Sequence, residues 1–164
     1  MAGAARFQKL NTRGPTPNEP MPNKRARPRP MGAAEGSTVV KAPIGTVYRQ
    51  WLRFEESPKF MTAVKEVEKL DANHFLVAIA HNGKRHEGVL ELMLRVPERR
   101  LAWRVLAGRS CSDHLASGIV SFTPRSDRST LVTLKVSSTF GGSGTVSRRL
   151  ARYLGNFKRL LEKQ

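Results

Sequence analysis

The last twenty residues constrain this chain most. Between Thr145 and Gln164 the apolar side chains fall at Val146, Leu150, Tyr153 and Leu154, Phe157, and Leu160 and Leu161. Steps alternating between three and four residues follow the helical period and predict one amphipathic α-helix. The other face carries Arg148, Arg149, Arg152, Lys158, Arg159 and Lys163 against a single acid, Glu162. Gly141, Gly142, Ser143 and Gly144 precede the helix and end whatever comes before it. Propensity alone leaves such a helix marginal in water, so its apolar face needs a partner.

The preceding residues read as a sheet. Ser37–Ala42 predicts a short strand, and Pro43 opens a helix spaced by Val47, Trp51 and Phe54. Glu55-Glu56-Ser57-Pro58 interrupts that helix, and Lys59-Phe60-Met61 forms a second short turn. Strands follow at Val64–Leu70 and His74–His81, where Asn82-Gly83 is a strong hairpin signal. From His86 the even positions read His86, Gly88, Leu90, Leu92, Leu94 and Val96, the odd ones Glu87, Val89, Glu91, Met93 and Arg95. That alternation predicts a buried even face. Pro97-Glu98-Arg99 turns into Arg100–Leu106, with Leu101, Trp103 and Val105 on one side. After a loop over Gly108–Ser112, a strand over His114–Phe122 aligns Ala116, Gly118, Val120 and Phe122 with His114. A polar turn at Pro124–Arg128 leads to Thr130–Ser138, which alternates through Val132, Leu134 and Val136. The class is therefore α+β: about seven strands, a short helical segment after the first, and one long helix last.

Residues 1–36 differ in composition. They hold six of the ten prolines and seven basic residues against two acids, so they cannot bury enough apolar surface to offset their ordering entropy. A disordered basic tail over 1–36 and one folded domain over 37–164 are expected. Lys24, Arg25, Arg27 and Arg29 lie close together among the prolines, a natural phosphate-binding arm. The net charge of +16 favours acidic partners: nucleic acid, an anionic membrane or an acidic protein. The lone Cys111 rules out an internal disulfide and fits a reducing compartment. No apolar run approaches a membrane span. A cytoplasmic location is expected, with an organellar targeting segment over residues 1–18 as the alternative.

Several spaced segments resemble the START-like SRPBCC superfamily, particularly its polyketide cyclase/dehydrase and coenzyme-Q-binding-like members. Val39-Val40-Lys41-Ala42-Pro43 through Val47 and Trp51 resembles its first strand and helix. Phe60-Met61 before Val64-Lys65-Glu66-Val67 is similar to its second helix and strand. Val96-Pro97-Glu98-Arg99-Arg100-Leu101-Ala102-Trp103 resembles its proline turn leading to a strand tryptophan. Gly118-Ile119-Val120-Ser121-Phe122-Thr123-Pro124 and Thr130-Leu131-Val132 resemble its last hairpin. The resemblance spans about 37–163. It implies a helix-grip fold: a curved antiparallel sheet wrapped round the C-terminal helix, with a cavity between. Members of that superfamily bind lipids, sterols, quinones, plant hormones or polyketides, and some are enzymes; the fold does not choose among these. Where members often carry an aromatic residue after the acid of the strand following the hairpin, this chain has Gly88, which implies either a larger cavity or a bulge.

Within that implied cavity, face alternation nominates Leu90, Leu92, Trp103, Val120, Phe122, Leu134, Tyr153 and Phe157 as lining, with His86 and His114 as polar contacts. The histidines lack zinc-site spacing, Cys111-Ser112-Asp113-His114 lacks partner ligands, and the glycine run fits neither a P-loop nor a dinucleotide fingerprint. No metal and no cofactor is therefore expected. Three functional readings stand. The first is binding of a hydrophobic small molecule, lipid-, quinone- or polyketide-like. The second is a cyclase or dehydratase of the same fold. The third is a basic accessory subunit holding nucleic acid, membrane or an acidic assembly through the tail and through Arg148, Arg149, Arg152 and Arg159.

Overall fold

The computed structural model describes residues 32–107 and 114–163. The basic arm Lys24, Arg25, Arg27 and Arg29, and Cys111 with its neighbours, lie outside these. Seven strands form a single antiparallel sheet: β1 (Gly32–Val40), β2 (Val64–Asp71), β3 (His74–His81), β4 (Lys84–Val96), β5 (Arg100–Leu106), β6 (His114–Ser126) and β7 (Ser129–Ser138). Their spatial order is β1-β7-β6-β5-β4-β3-β2. Between β1 and β2 stand helix α1 (Ile44–Leu52) and a 3₁₀ turn (Phe54–Lys59). The long helix α2 (Ser143–Glu162) comes last. This is the expected helix-grip arrangement.

α2 buries Val146, Leu150, Leu154, Phe157 and Leu161, the stripe its periodicity predicts. It runs parallel to β1 and is tied to it at both ends. Near its start Ala33 N–H donates to Ser143 Oγ at 3.3 Å, and near its end Lys41 N–H donates to Glu162 Oε2 at 2.8 Å. A Cβ on Gly36 would stand 2.6 Å from Leu150 Cδ2, so this glycine lets the helix approach the strand.

Four local readings are corrected. The first strand begins at Gly32, five residues inside the stretch assigned to the tail. From Gly32 opposite Ser138 to Val40 opposite Thr130, β1 pairs along β7. Backbone hydrogen bonds and the close approach of α2 hold these small residues without any apolar alternation of their own. Secondly, α1 ends at Leu52 rather than at Phe54, because Arg53 leaves helical geometry (φ −81°, ψ 76°), and Phe54–Lys59 form a separate 3₁₀ turn through Pro58. Thirdly, β6 passes through Pro124, which pairs with Thr130. Pairing with β5 ends at Ser121, so Pro124 stands where β6 has a neighbour on one side only and its missing N–H costs no ladder bond.

The fourth concerns strand phase. A register shift between Leu92 and Leu94 turns Leu94 and Val96 to solvent, against the expected buried even face. A bulge inserts one residue, and with a side-chain period of two that exchanges the faces beyond it. The Asn82-Gly83 hairpin keeps its expected form, with positive φ at both residues (52° and 76°).

Candidate functional site

The space between sheet and α2 divides into a filled half and a hollow half. In the filled half Trp51, Phe60 and Phe157 meet in a triangle with ring centroids 4.9–5.1 Å apart. Separations in this range suit tilted and edge-to-face aromatic packing. Phe54 packs on Phe75 at 5.2 Å and on Trp103 at 5.9 Å beside it. The hollow half is an apolar cavity of about 120 Å³ against the N-terminal half of α2.

Each wall of the cavity traces to a local cause. From the sheet come Val77, Leu90, Trp103, Val105, Leu134 and Val136, the inward residues of β3, β4, β5 and β7. Val146, Arg149, Leu150 and Tyr153 come from α2, while Phe54, Met61, Val64 and Val67 close the side under the 3₁₀ turn and β2. Trp103 sits at the border, 6.2 Å from Trp51 and also in the cavity wall. It pairs with Gly118, where a Cβ would come within 2.3 Å of its Cζ2; the bare backbone lets the indole lie across β6. Gly88 neither enlarges the cavity nor marks a bulge. Leu106 O, at 2.6 Å from a Cβ built there, and the side chains of Leu115 and Val105 take up its space.

Of the nominated lining residues, Leu90, Trp103, Leu134 and Tyr153 are in the wall. Leu92, Val120, Phe122 and Phe157 are buried in the solid core instead. Phe122 packs edge-on against Tyr48 at 5.8 Å, and Phe157 belongs to the aromatic triangle. His114 is exposed at the start of β6, because a register shift between Val105 and Leu106 turns Leu115 inward in its place. His86 is half-buried and stacks on the cavity residue Phe140 at 4.9 Å without entering the wall itself.

The main polar feature was missed. Arg149, assigned from sequence to the basic outer face, lines the cavity, while Arg148, Arg152 and Arg159 are exposed as expected. It stands three residues after Val146 and four before Tyr153, and that spacing was the available signal. Its Nη1 donates to Phe140 O at 2.6 Å and its Nη2 to His81 Nδ1 at 3.0 Å. A guanidinium only donates, so Nδ1 is the lone-pair nitrogen and His81 is neutral with its proton on Nε2. Burial, the Arg149 charge and His86 all push the His81 pKa down, in agreement. Burial raises the Tyr153 hydroxyl above its ordinary value, opposed by a backbone hydrogen bond from Ala63 and the charges of Arg149 and Arg152. Ser57 Oγ donates to Phe54 O, and Ser138 Oγ accepts from Phe140 N–H, so both hydroxyls serve the backbone. His74 lies away from this site, beside Asp71 and Glu91. Among the described residues no helix is long and apolar enough to cross a membrane.

A curved antiparallel sheet gripping a helix over an apolar cavity is a fold of the hydrophobic-ligand-binding or cyclase/dehydrase type. Residues 40–158 match the family model described as polyketide cyclase/dehydrase and lipid transport, and the chain belongs to that family. An uncharacterised 17.2 kDa protein of Streptomyces lincolnensis is 29% identical over 144 residues, covering 82% of this chain and 92% of its own. A Deinococcus radiodurans protein of known structure superposes with a TM-score of 0.64 at 25% identity, covering 77% of this chain and 95% of its own. The ZhuI aromatase/cyclase of Streptomyces sp. R1128 gives 0.64 at 15% identity, over 81% of this chain and 94% of its own. A START superfamily protein of Mycobacterium smegmatis gives 0.60 at 14%, over 80% and 94%. The last two share the fold, and the resemblance read from the sequence holds over residues 40–158.

Proposed function

We propose that the protein binds a small apolar molecule, of about the bulk of one aromatic ring or a short acyl chain, in the cavity between sheet and α2. The observation that carries this reading is a cavity of about 120 Å³ walled by Leu90, Trp103, Leu134 and Val136. An apolar cavity of about 150 Å³ accommodates benzene. Leaving such a space empty forfeits dispersion contacts that a better-filled core would have, so a cavity beside a tightly filled aromatic triangle points to an occupant. A lining that is mostly apolar, with few polar side chains (Arg149, Tyr153, Ser57, Ser117 and Ser138), is the character of a binding pocket.

Trp103 is the reporter. Titrating single-ring aromatics and short-chain acids into the protein is expected to change tryptophan emission saturably at one molecule per chain. Trp51, sealed in the aromatic triangle, contributes a constant background that a Trp103→Phe variant isolates. Absence of a saturable change across that panel, in emission and in calorimetry alike, overturns the reading.

A further inference from the structure

Resting on the reading of the cavity as a binding site, we infer that its occupant carries an anionic head, a carboxylate, seated on Arg149 with the apolar body directed towards Trp103. Besides Arg149 the polar side chains of the wall are the hydroxyls of Ser57, Ser117, Ser138 and Tyr153, and among the described residues no acid lines it. Among the described residues no Asp or Glu pairs with Arg149, although Arg104, Arg85 and Lys158 all have carboxylate partners. Two contacts hold the guanidinium, Phe140 O from Nη1 and His81 Nδ1 from Nη2, and its remaining N–H groups have no partner among the described residues. Both contacts act on the outer nitrogens and fix the plane of the fork while leaving donors unused.

His81 adds a further donor beside the guanidinium. Neutral His81 keeps a proton on Nε2, and both His81 and His86 stack on Phe140, at 5.4 and 4.9 Å. A neutral occupant that covered this end would strip water from the guanidinium and give nothing back, which is the costly arrangement for a charged group. A carboxylate replaces that water with charge-assisted bonds, strengthened where the apolar wall lowers the local dielectric. The competing view is that Arg149 only fastens the β7–α2 connection through Phe140 O; on that view the charge of the occupant is immaterial.

The test uses matched pairs differing only in the head: 4-methylbenzoate with 4-methylbenzamide, and hexanoate with hexanamide. Calorimetric titration of the full-length protein at low salt is expected to give carboxylates binding about tenfold or more tighter than amides. In Arg149→Met that preference is expected to fall below about twofold, and in Arg149→Lys to survive in part, as a point charge without the fork. A melting curve accompanies each variant because the Phe140 contact is lost. The His81 ring resonances of the wild type give a second readout that needs no variant: they are expected to move with the carboxylate and not with the amide. Equal affinity of acid and amide overturns the anionic head and leaves the cavity reading standing. A preference that persists in a folded Arg149→Met protein also overturns it, by placing the head elsewhere. If no member of either pair binds, both readings fall.

Discussion

Replacing Phe157 with Ala tests the division of the interior into a filled and a hollow half. Phe157 is 0% exposed, and its ring meets Trp51 and Phe60 at 4.9 Å with interplanar angles of 61° and 67°. Removal of a buried phenyl group costs about 3–5 kcal/mol, more when the walls cannot collapse into the space. Here they are held: Trp51 and Phe60 are each 1% exposed, and Phe60 O accepts a hydrogen bond from Asn156 Nδ2. The expected cost is therefore about 4 kcal/mol, or a fall in melting temperature of roughly 12–16 °C for a domain of this size. Urea denaturation followed by tryptophan emission is the assay, with an unchanged m-value showing that the unfolded reference is the same. The comparison is Val136→Ala, which trims the wall of an existing cavity and is expected to cost only about 1–2 kcal/mol. If Phe157→Ala costs under about 1.5 kcal/mol, or no more than Val136→Ala, the C-terminal half of α2 does not pack as described.

Two further outcomes are expected. Gly118→Ala sets a Cβ 2.3 Å from Trp103 Cζ2, and displacing the indole should cost about 1–3 kcal/mol and alter near-ultraviolet dichroism; an unchanged spectrum refutes the indole's position. His81 binds its proton less tightly in the folded chain than in the unfolded one, so it stabilises above pH ~6.5 and that stability is lost as pH falls through the folded value. His74, whose pKa the Asp71 hydrogen bond raises, has the opposite sign: its contribution is present below pH ~6.5 and fades as pH rises through its folded value. Urea midpoints at pH 7.5 and 5.5 should therefore fall less on acidification in His81→Phe than in wild type, and an equal fall in both removes His81 from the balance.

Much of this protein is set by short-range pattern. The α2 stripe at Val146, Leu150, Leu154, Phe157 and Leu161 follows from the helical period, and the Asn82-Gly83 turn from the positive φ those residues tolerate. The alternation of β5 and β7 likewise places Trp103 and Leu134 inward from sequence alone. Tertiary structure decided what happens where strands of unequal length meet. The register shifts at Leu92/Leu94 and Val105/Leu106 carry Leu94 and Val96 outward and His114 to the surface, since one inserted residue reverses a two-residue period and leaves no mark in composition. Packing across the interior likewise decided that Phe157 fills space while Tyr153 borders it. Periodicity reports which way a side chain points, whereas a cavity depends on what stands opposite. Arg149 combines both lessons. Its charge reads as surface and its spacing as interior, and the spacing prevails because His81 Nδ1 and Phe140 O stand ready to accept its hydrogen bonds.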